Sequence, residues 1–152
     1  VENEGVQFTV ISIGNSAFYN CKKIKSVVIQ EGVTTIVNAA FKNCDRLQSV
    51  TLPESIVTIK DFAFSSCIKL QTINLPNSLT TIGGNAFSLC SSLESIIIPN
   101  SILIIEGYTF MGCTNLVSVT LPKELTKIKE NRILPNLYWR RGNEMLSGSR
   151  QN

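Results

Sequence analysis

Histidine is absent from the 152 residues, and charged side chains make up only 16% of them. Without an imidazole no Ser-His-Asp or Cys-His set can be assembled. Zinc would have to be held without its commonest nitrogen ligand. Long hydrophobic runs are missing as well: "SIIIP" and "ILII" are strand-length, against the roughly 18 apolar residues of a membrane span. The net charge of +3 is small and spread along the chain, which leaves no clustered basic stripe for nucleic acid. There is no C-x-x-C pair, and no asparagine is followed by x-Ser or x-Thr, so N-glycosylation has no acceptor. That absence leans towards a bacterial source or an unmodified protein. The chain begins at Val1 without Met or signal peptide; the expectation is a processed form or a piece of a longer protein whose targeting segment is elsewhere. Glu54, Asp61, Glu94, Glu106 and Glu124 do not recur as a pair, and "TIGGNAF" is neither a P-loop nor a dinucleotide fingerprint. No catalytic, cofactor-binding or metal-ligating set is expected, and the chain reads as non-enzymatic.

What is present is a period. Cysteines stand at 21, 44, 67, 90 and 113, and phenylalanines at 18, 41, 64, 87 and 110, each 23 residues after the last. Ile24, Leu47, Leu70, Leu93 and Leu116 keep the same step, as do Val27, Val50, Ile73, Ile96 and Val119. Ile29, Leu52, Leu75, Ile98 and Leu121 follow, then Pro53, Pro76, Pro99 and Pro122. Two further columns are Val33, Ile56, Leu79, Ile102, Leu125 and Ile36, Ile59, Ile82, Ile105, Ile128. Repetition at this length marks a solenoid.

Each unit reads as one coil. In "LQSVTLP" the alternation turns Val50 and Leu52 to one side and Thr51 to the other, as a strand requires. Pro53 has no N–H and ends the strand. Ile56 and Ile59 lie on a return segment, and Ala63-Phe64-x-x-Cys67 makes a compact turn, read as short helix or 3₁₀. One coil cannot bury its own apolar side, so coils stack into a shared core with a parallel sheet on one face. The fold class is thus α/β or mainly β repeat, a solenoid of about six coils over 1–128. It comprises a weak first coil 1–23, full repeats 24–46, 47–69, 70–92 and 93–115, and a half coil 116–128. Beyond Lys129 the period fails, and 129–152 is read as a C-terminal cap, supplied by Ile133, Leu134, Leu137, Tyr138 and Trp139, or a flexible tail fraying after Arg141.

The pattern LxxVxLPxxIxxIxxxAFxxC, seen in "LPNSLTTIGGNAFSLCSSLESIIIP", resembles the BspA-like leucine-rich repeat family over roughly residues 6 to 128. The resemblance implies a right-handed, often curved solenoid from large secreted or surface proteins of bacteria and some protists. It further implies adhesion to host proteins, host cells or other microbes, sometimes linked to virulence. The expected localisation is therefore cell surface or secreted. The runner-up is an intracellular or effector scaffold for protein–protein contacts, where reduced thiols would be natural; an enzyme carrying this array as an appendage is a third class.

Five in-register thiols are read as buried structural residues, each donating weakly to a backbone carbonyl in the turn. Disulfides between adjacent coils are the alternative, with Cα spacing inside the permitted window but Cβ spacing wider than the usual ~3.8 Å. Metal binding ranks last, since a row of thiols does not surround a tetrahedral ion. The Phe column reads as an interior spine. Binding is then expected on the outward strand positions Gln48, Ser49, Thr51, Gln71, Thr72, Asn74, Glu94, Ser95, Ile97, Ser118 and Thr120. By analogy with leucine-rich repeats they form the concave face. It is rich in hydroxyls and amides, with Val28, Ile97 and Val117 as apolar spots. The partner is a protein, such as a host extracellular-matrix or cell-surface protein, or a glycan, with no nucleic acid and no membrane insertion by this segment.

Overall fold

The computed structural model describes residues 9–129, 138–141 and 144–146. The chain winds as a parallel β-solenoid with two strand-bearing faces per coil. The first face carries β2 (Ser26–Val28), β4 (Ser49–Thr51), β6 (Thr72–Ile73), β8 (Ser95–Ile97) and β10 (Ser118–Leu121). The second carries β1 (Ser12–Ile13), β3 (Thr35–Ile36), β5 (Thr58–Ile59), β7 (Thr81–Ile82), β9 (Ile104–Ile105) and β11 (Lys127–Ile128). The return segment, given no secondary structure from the sequence, therefore has a sheet of its own. Pairing is parallel and 23 residues out of step, as in Ser49↔Thr72 and Thr58↔Thr81. There is no helix among the described residues, so the mainly β alternative holds.

The compact turn "AFxxC" is there as expected, but it is neither the short helix nor the 3₁₀ segment it was read as. Each copy is a double turn with two left-handed residues: Ser16, Ala39, Phe62, Asn85 and Tyr108 at the first position, Asn20, Asn43, Ser66, Leu89 and Gly112 at the second. A helix cannot run through residues of that hand. The turns hydrogen-bond their own ends, as in Cys67 N–H to Phe64 O at 3.2 Å. They also bond the next coil, as in Phe64 N–H to Ala86 O at 2.8 Å.

The core is the set of columns read from the sequence. Phe41, Phe64 and Phe87 are fully buried with Leu47, Leu70, Leu93, Ile59 and the Ala column at 40, 63 and 86. The Phe rings stack nearly parallel, at 5.1, 5.3, 5.6 and 6.0 Å from Phe18 to Phe110. The thiol question is answered by the ladder: all five cysteines are free. Cys44, Cys67, Cys90 and Cys113 each donate an S–H to the Phe carbonyl of the previous coil, at 3.0 to 3.2 Å. Burial pushes the thiols of Cys67 and Cys90 well above their ordinary range, and that of Cys113 to about 12. A serine ladder does the same work after Pro53, Pro76 and Pro99. Ser55 and Ser78 donate to Val33 O and Ile56 O at 2.8 and 2.7 Å, and Ser101 to Leu79 O.

One step in the stack is wider than the rest. β6 does not pair with β8, nor β7 with β9, although strands on either side of this seam pair. The turns stay bonded across it, through Asn85 N–H to Gly107 O and Phe87 N–H to Thr109 O, both 3.1 Å. The same step has the longest ring separation, 6.0 Å between Phe87 and Phe110. Thr109, buried, stands here where the other coils have alanine, and its hydroxyl donates to Glu106 O at 2.7 Å. At the C-terminal side β12 (Tyr138–Arg141) adds to β10 in parallel, and β13 (Glu144–Leu146) adds to β12 antiparallel. Ile133, Leu134 and Leu137 lie outside the described residues.

Candidate functional site

Strand alternation decides what the first face shows. Val50, Ile73, Ile96 and Val119 point into the core, so their neighbours point out. Gln48, Ser49, Thr51, Gln71, Thr72, Asn74, Glu94, Ser95 and Ile97 are all exposed. Ser118 and Thr120 are only half-buried rather than open, because β12 pairs alongside β10. Among the apolar side chains of this face, exposure is greatest at Ile97, 70%, followed by Val28 at 64% and Val117 at 56%.

Two features separate this face from the second. The first is the fate of its polar groups. On the second face Thr34, Thr80 and Thr126 donate to the carbonyls of Ile11, Val57 and Leu103 in the preceding coil, at 2.8 to 3.3 Å. Among the described residues, the hydrogen bonds found use no side chain of Ser49, Thr51, Thr72, Asn74 or Ser95. These hydroxyls and amides stand out from the sheet with their hydrogen-bonding capacity directed at solvent. The second feature is a shallow cleft of about 220 Å³ at the seam, lined by Thr72, Ile73, Asn74, Leu75, Ser95, Ile96 and Ile97. Its floor is apolar and its rim polar, and Ile97 stands at its edge. Nothing in the spacing of the repeats announces it.

Among the described outward residues of β2 to β10 and the two residues before each of these strands, Glu94 and Lys25 carry charge, three coils apart, and no group of three or more His, Cys, Asp or Glu among the described residues could hold a metal ion. The Cys ladder is interior and faces neither sheet surface. What the arrangement can do is hold a rigid grid of donors and acceptors, with coil-to-coil spacing set by the ladder, around a few apolar points.

The sequence of residues 11–133 matches the BspA type leucine rich repeat region in six copies. Among solved structures, a leucine-rich repeat protein of T. pallidum is 32% identical. The match covers 78% of this chain and 62% of that one, with a TM-score of 0.74. One from Bacteroides ovatus is 30% identical over 93% of this chain and 43% of its own, with a TM-score of 0.68. A leucine-rich cell surface protein of Faecalibacterium prausnitzii is 26% identical over 84% of this chain and 44% of its own, at 0.53. The chain thus spans less than two thirds of the length of each. Among curated proteins none matches. Repeat pattern, parallel coil pairing and structural likeness agree, and the chain belongs to the BspA-type leucine-rich repeat family.

Proposed function

We propose that this chain is a non-enzymatic adhesion module of a cell-surface or secreted protein, and that it binds a protein through the first sheet face. The observation that carries the reading is the set of solvent-directed hydroxyls and amides at Ser49, Thr51, Thr72, Asn74 and Ser95, grouped around the seam cleft and Ile97, exposed at 70%. Polar groups that serve no internal purpose, next to an exposed apolar side chain, are what a protein interface with a polar rim and an apolar centre requires. The backbone behind them is fixed by the coil ladder, so docking orders little besides side chains and loses little entropy. The cell-surface neighbour from F. prausnitzii supports the surface setting.

The test replaces Thr72, Asn74 and Ser95 together with Lys. Binding to a partner found by screening host matrix and cell-surface proteins should fall by at least a hundredfold, because three ammonium groups would have to be desolvated in the contact. The melting temperature should stay within a degree or two, since all three are exposed. Unchanged binding would remove the first face from consideration.

A further inference from the structure

Coiling concentrates charge that is dispersed in the sequence. Lys23, Arg46 and Lys69 occupy the same position in three successive coils, just after each Cys turn and before each first-face strand. The strand register Ser26↔Ser49↔Thr72 fixes that alignment. The Phe rings of these coils are 5.1 and 5.3 Å apart, which sets the step between the backbone positions that carry the cations. All three side chains are exposed, as is Lys25 beside the first of them. Neither ion pair found among the described residues involves them: the pairs are Lys22–Asp45 and Lys129–Glu106. Lys22 thereby occupies Asp45, the acid nearest to Arg46 in the chain. The acids of these coils otherwise sit away from the row. Glu31 and Glu54 stand together on the opposite edge, after the first-face strands, where Glu31 Oε1 accepts the Glu54 N–H at 3.0 Å. Asp61 lies at the start of its turn, where Oδ1 accepts the Gly84 N–H at 2.8 Å.

Like charges stacked at this spacing repel and cost stability. They are relieved by a ligand carrying negative charges in a line. We propose that the ridge Lys23–Arg46–Lys69 binds a linear sulfated polysaccharide laid along the solenoid axis. The ridge is one residue wide, so it fits a single chain of anions rather than a broad anionic surface. Single-stranded nucleic acid would need open aromatic faces between the cations. Here Phe62 is covered by the Lys42 ammonium at 4.7 Å and Phe18 stacks on Phe41, which leaves Tyr19, half exposed, as a single ring in the first of these turns rather than a row between the cations. Arg46 at the centre supplies the planar fork that pairs with two oxygens of one sulfate. The ridge lies off the sheet face, so this inference stands or falls separately from the protein-binding reading.

The experiment is salt elution from immobilised heparin. The wild-type chain should be retained at physiological ionic strength. The variant Lys23→Gln, Arg46→Gln, Lys69→Gln should elute early, with the slope of log affinity against log salt reduced by about two to three. Arg46→Lys alone should restore only part of the retention that Arg46→Gln loses. The circular dichroism melt of each variant verifies the fold, and neutralising the repulsion should leave it unchanged or raise it. Co-elution of wild type and triple variant, or passage of the wild type without retention, overturns the ridge. Equal or tighter ridge-dependent binding to an oligonucleotide or to anionic vesicles overturns the assignment to a sulfated glycan.

Discussion

Phe64 is the place where the stacked interior can be tested hardest. It is fully buried, with the Phe41 ring on one side at 5.3 Å and the Phe87 ring on the other at 5.6 Å. Phe64→Ala removes a side chain whose deletion from a core costs about 3–5 kcal/mol. The site cannot collapse, because the coil ladder on both sides holds the neighbouring rings in place, so the cost falls near the top of that range. Phe18 is the internal control. It is 37% exposed and has one ring neighbour, at 5.1 Å, so Phe18→Ala should cost about 1–2 kcal/mol, a fraction of a full burial. A domain of this size has about 5–15 kcal/mol of stability in total. In a stack where each coil touches only its neighbours, loss at the middle also weakens coupling between the two ends. Urea unfolding followed by far-UV circular dichroism measures both. The Phe64 variant should show a much lower midpoint, with a smaller m-value or two transitions; the Phe18 variant should shift its midpoint slightly at constant m. Equal losses at the two positions would refute the idea of a continuous spine, since they would make the column's energetics independent of burial and of the second ring.

The buried thiols set a limit at high pH. Burial raises Cys67, Cys90 and Cys113 above the usual thiol range, so the unfolded chain ionises these groups first, from about pH 8.5. Stability contributed by the neutral thiols is thus complete below that pH and falls as the pH rises, by about 1.4 kcal/mol per pH unit for each thiol, until the folded-state group also titrates. Chemical denaturation between pH 8 and 11 should show a steepening loss, which Cys90→Ala reduces by one group's share; an unchanged slope in that variant would contradict it. Gly112 is the one glycine of its column, at φ +73, and a Cβ there would meet Leu89 Cδ2 at 2.5 Å. Gly112→Ala should lose about 1–2 kcal/mol from the left-handed backbone. Adding Leu89→Ala should recover only the steric part, and full recovery in a thermal melt would show that backbone conformation contributes nothing.

The architecture was legible because the repeat is nearly invariant in length and column chemistry. Eight aligned apolar or proline positions dictate an inside, and alternation around Val50 and Ile73 dictates which neighbours face out. The candidate face was readable for the same reason, down to the exposure of Ile97. The free thiols were legible as core members from their register, and their acceptor proved to be the carbonyl of the preceding coil. Other features were not legible. The second sheet was missed because its strands are two residues long and present one buried Ile each, as at Thr58–Ile59, which is too short for alternation to register. The left-handed turn residues were missed because only Asn20, Asn43, Asn85 and Gly112 carry the composition that marks such backbone, while Phe62 and Leu89 do not.

By itself the sequence determined the coil and its core columns, because periodic burial is a local property repeated. Tertiary structure decided what coils do to one another. Stacking makes the Ser, Cys and Phe ladders, leaves the seam between β6 and β8, and sets β12 beside Ser118 and Thr120. It also gathers Lys23, Arg46 and Lys69, 23 residues apart in the chain, into one ridge. Distance along the sequence screens charges from view; distance through space, about one coil, does not.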